Sequence, residues 1–118
     1  MTKPIPPLLA AMQAGRDGMN RALDHANRVD PSWEAHAWRY MRAFVRDHAE
    51  FKAEDARAWA YAHGMDAPPD DRAWGGIVQR AAKAGLIRKT ERTGPSKSSH
   101  GSPVILWQST IYAEPTDA

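Results

Sequence analysis

Apolar and small residues recur at Leu8, Met12, Gly15, Met19, Ala22, Ala26 and Val29 in alternating steps of four and three. That spacing predicts a helix. Gly15 and Gly18 weaken its centre, each by up to about 1 kcal/mol, and Asp17 is placed to cap a second helical piece that ends near Arg28. Asp30-Pro31-Ser32 then marks a new start, with Asp30 as cap and Pro31 preset for the first turn. Trp33, Ala37, Met41, Phe44, Val45 and His48 follow at helical spacing, while Arg39, Arg42 and Arg46 lie away from that stripe. The pattern predicts an amphipathic core helix over 32–48. Ala56, Trp59, Ala60 and His63 make one face of a shorter helix, 53–63, stopped by Gly64. After the Pro68-Pro69 connector, Asp70 caps a helix over 71–84 and Asp71 complements its dipole. Trp74, Ile77, Val78 and Ala81 point inward, and Gly85 ends it.

Beyond Gly85 the period changes. Residues 86–92 read as a strand, 93–103 as a polar loop rich in Gly, Ser and Pro, and Val104-Ile105-Leu106-Trp107 as the clearest strand of the chain. Helix, short helix, turn, helix and hairpin is the order of an α+β, mainly helical winged helix-turn-helix: a three-helix core plus a β-hairpin wing, here with an extra N-terminal helix. The expected division is 1–29 as arm and helix, 30–112 as the winged-helix domain and 113–118 as a flexible tail. The expected core is Trp33, Met41, Phe44, Phe51, Trp59, Trp74, Ile77, Val78, Leu86, Ile87, Leu106 and Trp107, each large side chain contributing roughly 1.5–3 kcal/mol on burial. A helical bundle with a disordered tail would leave Val104–Trp107 uncovered.

Composition narrows the function classes. The 118 residues are 42% hydrophobic and 25% charged, an ordinary globular balance, and contain no cysteine. Disulfides, cysteine zinc sites and thiol nucleophiles are excluded. No run is long enough to span a membrane, and Leu8–Met12 is too short for a signal-peptide core, so the expected location is cytoplasmic. The net charge of +2 is unevenly placed: residues 72–107 carry seven Lys or Arg against Glu91 alone, while 1–71 carry nine against eleven acids. Such asymmetry suits a surface facing a polyanion.

In a helix-turn-helix the second helix of the pair enters the major groove. Its outward positions here are Arg72, Gly76, Gln79, Arg80 and Lys83. Arg80 has the two donors that match guanine O6 and N7, and Gln79 matches adenine N6 and N7; Lys83 and Arg72 suit phosphates. Gly75 is read as a close-packing position, and Gly76 is left between packing and an approach of backbone to DNA. Arg88, Lys89 and Arg92 place cations at the base of the wing, and Lys97 and His100 lie in its loop, where backbone or minor-groove contacts are made.

Phe51 to Trp59, then Pro68-Pro69-Asp70-Asp71-Arg72-Ala73-Trp74-Gly75-Gly76-Ile77 through Arg80, Lys83 and Gly85 to Ile87, resembles small phage- and prophage-encoded winged-helix proteins of replication and recombination regions. Ser99-His100-Gly101-Ser102-Pro103-Val104 with Trp107 fits the same pattern. The resemblance spans roughly 30–112 and implies the winged-helix architecture and a phage-related setting.

Catalytic chemistry does not assemble. The five histidines have no close ligand spacing, and His48 and His63 read as core-edge residues. The pairs Glu54-Asp55 and Asp70-Asp71 sit at helix starts, where capping and dipole explain them; a two-metal nuclease would need a third acid placed with them. Neither a phosphate-cradling glycine loop nor a nucleophile elbow is present. The expectation is a non-enzymatic DNA-binding protein, duplex favoured, needing no metal and no cofactor, and acting in replication, recombination or transcription control. The rival is a winged-helix docking module for an acidic protein partner, such as a member of a replication or recombination complex.

Overall fold

The computed structural model describes residues 7–97 and 101–113, with side chains from residue 15 onward. Among the described residues the chain is α+β and mainly helical. Helices α1 (Pro7–Val29) and α2 (Trp33–Asp47) are followed by strand β1 (Glu50–Phe51), helices α3 (Ala53–Ala62) and α4 (Ala73–Lys83), and strands β2 (Ile87–Pro95) and β3 (Pro103–Ser109).

Two helices start by the same local device. The Asp30 carboxylate accepts the Ser32 amide and hydroxyl (3.0 and 2.6 Å) just before α2, and Asp70 accepts the Arg72 amide (2.9 Å) just before α4. Each bond satisfies an amide that the helix itself leaves without a partner. Hydrogen bonds hold both carboxyls below their ordinary value, at Asp30 from the Ser32 hydroxyl first and its amide second, and at Asp70 from the Arg72 guanidinium first and its amide second. Two helices also stop alike. Gly64 and Gly85 take left-handed backbone (φ +95° and +79°), and the next amides, Met65 and Leu86, reach back to the carbonyls of Ala60 and Ala81. This is the closure that glycine after a helix allows.

The core lies between the helices and the sheet. Trp33 meets Trp74 edge-to-face at 5.7 Å, and Phe44 meets Phe51 likewise at 4.9 Å. Met41, Phe44, Val45 and Ile77 are its largest fully buried side chains. Trp59 and Leu86, expected in the core, are half-buried at its edge, and Leu106, also expected there, is half-buried outside it, beside Gly94.

Three features differ from the sequence expectation. The sheet has three antiparallel strands in the order β1-β3-β2, with Phe51 opposite Trp107 in the added pair. Strand β2 runs on through Thr93–Pro95, assigned above to loop, because β3 pairs with it to Pro103. Between the Lys89–Trp107 and Thr93–Ile105 pairs β2 holds two more residues than β3; the Thr90 hydroxyl bridges the gap by donating to the Leu106 carbonyl (2.7 Å) and accepting the Arg92 amide (3.1 Å). Finally, α1 is one continuous helix, and Asp17 caps nothing. Gly18 is accommodated because the Arg72 guanidinium lies against it, 2.9 Å from where a β-carbon would sit.

The sheet is tied to α2. The buried Ser109 hydroxyl donates to the Val45 carbonyl (2.5 Å) and the Ser109 amide to the Ala49 carbonyl (2.9 Å). Ala113 donates to the Arg46 carbonyl (3.3 Å); the rest of the expected tail, and residues 98–100 of the β2–β3 loop, lie outside the described residues. No described helix is long and apolar enough to cross a membrane.

Candidate nucleic-acid interface

The outward face of α4 is not free along its length. Helix α1 lies across its first half: a β-carbon on Gly76 would fall 2.8 Å from a Leu23 methyl, and one on Gly75 2.5 Å from the Met19 sulfur. The two glycines let α1 approach closely while Ala22 and Ala26 reach the core. Gly76, left open between packing and DNA, is a packing position in this arrangement.

What remains open on α4 is Gln79, Arg80 and Lys83. With Arg16, Asn20 and Lys89 they line a groove of about 770 Å³ between α1 and α4. Four cations and two amides thus face one space. Arg80 also borders a second groove, of about 640 Å³, on the α2 side, with Trp38, Arg39, Arg42 and Arg46. Glu34 lines both grooves and, among the described residues, is the one acid in either. The Arg80 guanidinium carbon sits 4.2 Å from the centre of the Trp38 ring, a cation–π contact that fixes a long side chain at the junction of the two grooves. Seven cations against one carboxylate make a continuous basic band.

Apart from Lys89, the other sequence-assigned residues that are described do not join it. Arg72 forms a two-pronged pair with Asp70 (2.7 and 2.9 Å), which holds its own proton more tightly, and lies in a separate groove with Glu54, Arg57 and Asp71. Arg88 donates to the Gln108 side chain (3.0 Å) and Arg92 is paired with Glu50. Lys89 does reach the band, with its ammonium 5.8 Å from the Trp107 ring centre. The Lys97 amide donates to Glu54 (2.9 Å), as does the Ser96 hydroxyl (3.2 Å), so the start of the β2–β3 loop is fastened to the first turn of α3. His100 lies outside the described residues.

The sequence reading assigned no role to Arg16, Arg39, Arg42, Arg46 or Trp38. The arginines of α2 were visible as positions off the apolar stripe, but their meeting with Arg80 depends on how α2 packs on α4.

The groups weighed for catalysis have other partners. Asp55 accepts the Lys52 amide (2.9 Å) and Asp71 the Tyr61 hydroxyl (2.6 Å). His48 stacks on Phe44 and His63 on Trp59, each at 4.0 Å, with Nδ1 2.9 and 2.7 Å from the carbonyl four residues earlier. Since a carbonyl only accepts, both rings donate from Nδ1. Among the described residues no group of three His, Asp or Glu side chains is placed to hold a metal ion. No family model, curated protein or solved structure matches the chain.

Proposed function

We propose that the protein is a non-enzymatic winged-helix DNA-binding protein that holds duplex DNA at the groove between α1 and α4. The order of elements supports the architecture, with α3 and α4 as the helix pair and the β2–β3 hairpin as the wing, although the ten residues between α3 and α4 exceed the short turn common in such pairs. The observation that carries the binding reading is the convergence of Arg16, Arg80, Lys83 and Lys89 on one open groove. Because α1 lies over the first half of α4, phosphate contacts dominate, and Gln79 is the side chain of α4 best placed to reach a base edge. Sequence preference is therefore modest.

Titration of a short mixed-sequence duplex at two salt concentrations tests this. Four phosphate contacts should lower affinity on the order of a hundredfold between about 50 and 200 mM salt. The Lys83→Gln/Lys89→Gln variant, folded by circular dichroism, should reduce the logarithmic salt slope by roughly two. Absence of binding at low salt, or an unchanged slope in the variant, would refute the reading; the first result would favour the docking module.

A further inference from the structure

We propose that the α2 side of the band is a separate site for single-stranded nucleic acid, with phosphates on the arginines of α2 and a base against the Trp38–Arg80 stack. The inference deepens the DNA-binding reading and rests on it for the class of ligand, while using a different surface. Arg39, Arg42 and Arg46 fall within one stripe of α2, three and seven residues along, and span about 10 Å of helix. Two or three consecutive phosphates of an extended strand match that length. All three are exposed, and among the described residues none of them is in an ion pair.

The tryptophan decides between strand types. Trp38 is half-buried in the groove wall, and Arg80 stands 4.2 Å over its ring. The guanidinium is planar, and it lines the groove together with the Trp38 ring. Bases stack on such planes and on aromatic rings when they are free of a helix. A duplex keeps its bases stacked inside and offers this groove phosphates alone. The groove, at about 640 Å³, has room for a nucleotide. A duplex on the α1–α4 side and a strand on the α2 side would share Arg80, the geometry of a duplex end or fork.

The test uses the full chain, oligothymidylate, a blunt duplex and the same duplex with a thymidine overhang. Arg42→Gln/Arg46→Gln changes only exposed side chains of the α2 groove; Lys83→Gln/Lys89→Gln changes only the other. The first variant should bind oligothymidylate about tenfold more weakly, flatten its salt slope by about 1.4, and bind blunt duplex within twofold of wild type. The second should bind blunt duplex about tenfold more weakly, lower the duplex slope by roughly two, and bind oligothymidylate within twofold of wild type. Wild type should prefer the overhang duplex to the blunt one, and ultraviolet crosslinking of a bromodeoxyuridine oligonucleotide should mark the peptide containing Trp38. If the arginine variant binds oligothymidylate like wild type while duplex binding persists, this inference fails alone. If wild type binds oligothymidylate and not duplex, the duplex reading fails alone. Equal displacement of oligothymidylate by polyglutamate of matched charge would overturn the base-stacking assignment.

Discussion

Gly75 faces Met19 so closely that a β-carbon on the glycine would lie 2.5 Å from the thioether sulfur. Gly76 stands in the same relation to Leu23, at 2.8 Å. Two glycines in a helix interior each cost up to about 1 kcal/mol, so their presence here is a packing choice: they make the trough in which α1 lies. Alanine at either position regains helix propensity but forces the Met19 or Leu23 side chain to shift, and overpacking costs about 1–3 kcal/mol. Gly75→Ala and Gly76→Ala should therefore destabilise modestly and speed hydrogen exchange in α1. Gly15 is the control. Nothing lies within 4 Å of its β-carbon position, so Gly15→Ala should stabilise by up to about 1 kcal/mol. Denaturant melts give the sign at each position.

The β2–β3 loop is fastened by Glu54, which accepts from the Lys97 amide and the Ser96 hydroxyl and pairs with Lys52 at 3.6 Å. Lys52 in turn donates to the Pro95 carbonyl (2.8 Å). Glu54→Ala should release the Lys97 amide to solvent and raise its exchange rate, with a global cost of about 1–2 kcal/mol. Exchange at Arg88, opposite Gln108 of β3, should not change. Nuclear magnetic resonance of amide exchange separates the two regions.

The Trp74 indole donates to the Tyr61 oxygen (3.0 Å), and the Tyr61 hydroxyl donates to Asp71 (2.6 Å). Burial first, and the Asp71 hydrogen bond second, push the phenol above its ordinary value of 10.0. A group with a raised folded value contributes stability that is complete below the unfolded value and lost as pH climbs past it. Tyr61→Phe should cost about 1 kcal/mol or more at neutral pH, since it leaves the Trp74 nitrogen without its acceptor. The gap in melting temperature between the two proteins should then narrow as pH rises above 10. In the wild type the phenolate absorbance of one tyrosine should appear late, together with unfolding.

How legible each part was depends on whether its cause is local. The α2 helix and β3 were readable because Trp33–Val45 and Val104–Trp107 carry complete periods within themselves. Two residues have no period, so β1 could not be read; Glu50 and Phe51 are a strand because Gln108 and Trp107 lie opposite. Thr93-Gly94-Pro95 has the composition of a loop and is drawn into β2 by Val104 and Ile105. The glycine pair of α4 announced a close neighbour without naming it. Of the residues lining the candidate groove, Gln79, Arg80 and Lys83 were marked in the sequence by charge and helical phase, and Lys89 by charge alone. The partners of Arg72 and Arg92 were not, since Glu50 is distant in sequence and the Asp70 side chain had been assigned to a cap.

Arg80 belongs to both grooves, and its substitution distinguishes a shared junction from two independent surfaces. Its guanidinium is exposed yet oriented by Trp38 at 4.2 Å, so it arrives at a phosphate or a base with little rotamer freedom left to lose. Lysine keeps the charge but not the plane. Arg80→Lys should therefore hold the salt slope for duplex nearly constant while weakening oligothymidylate several-fold. Arg80→Gln should weaken both ligands and lower the duplex slope by about one. Neither change should lower the melting temperature by more than a few degrees, because Arg80 lies away from the buried Ile77 and Ala81. Equal losses for both ligands in Arg80→Lys would mean that charge alone acts at this position and that the tryptophan does not orient it for a base.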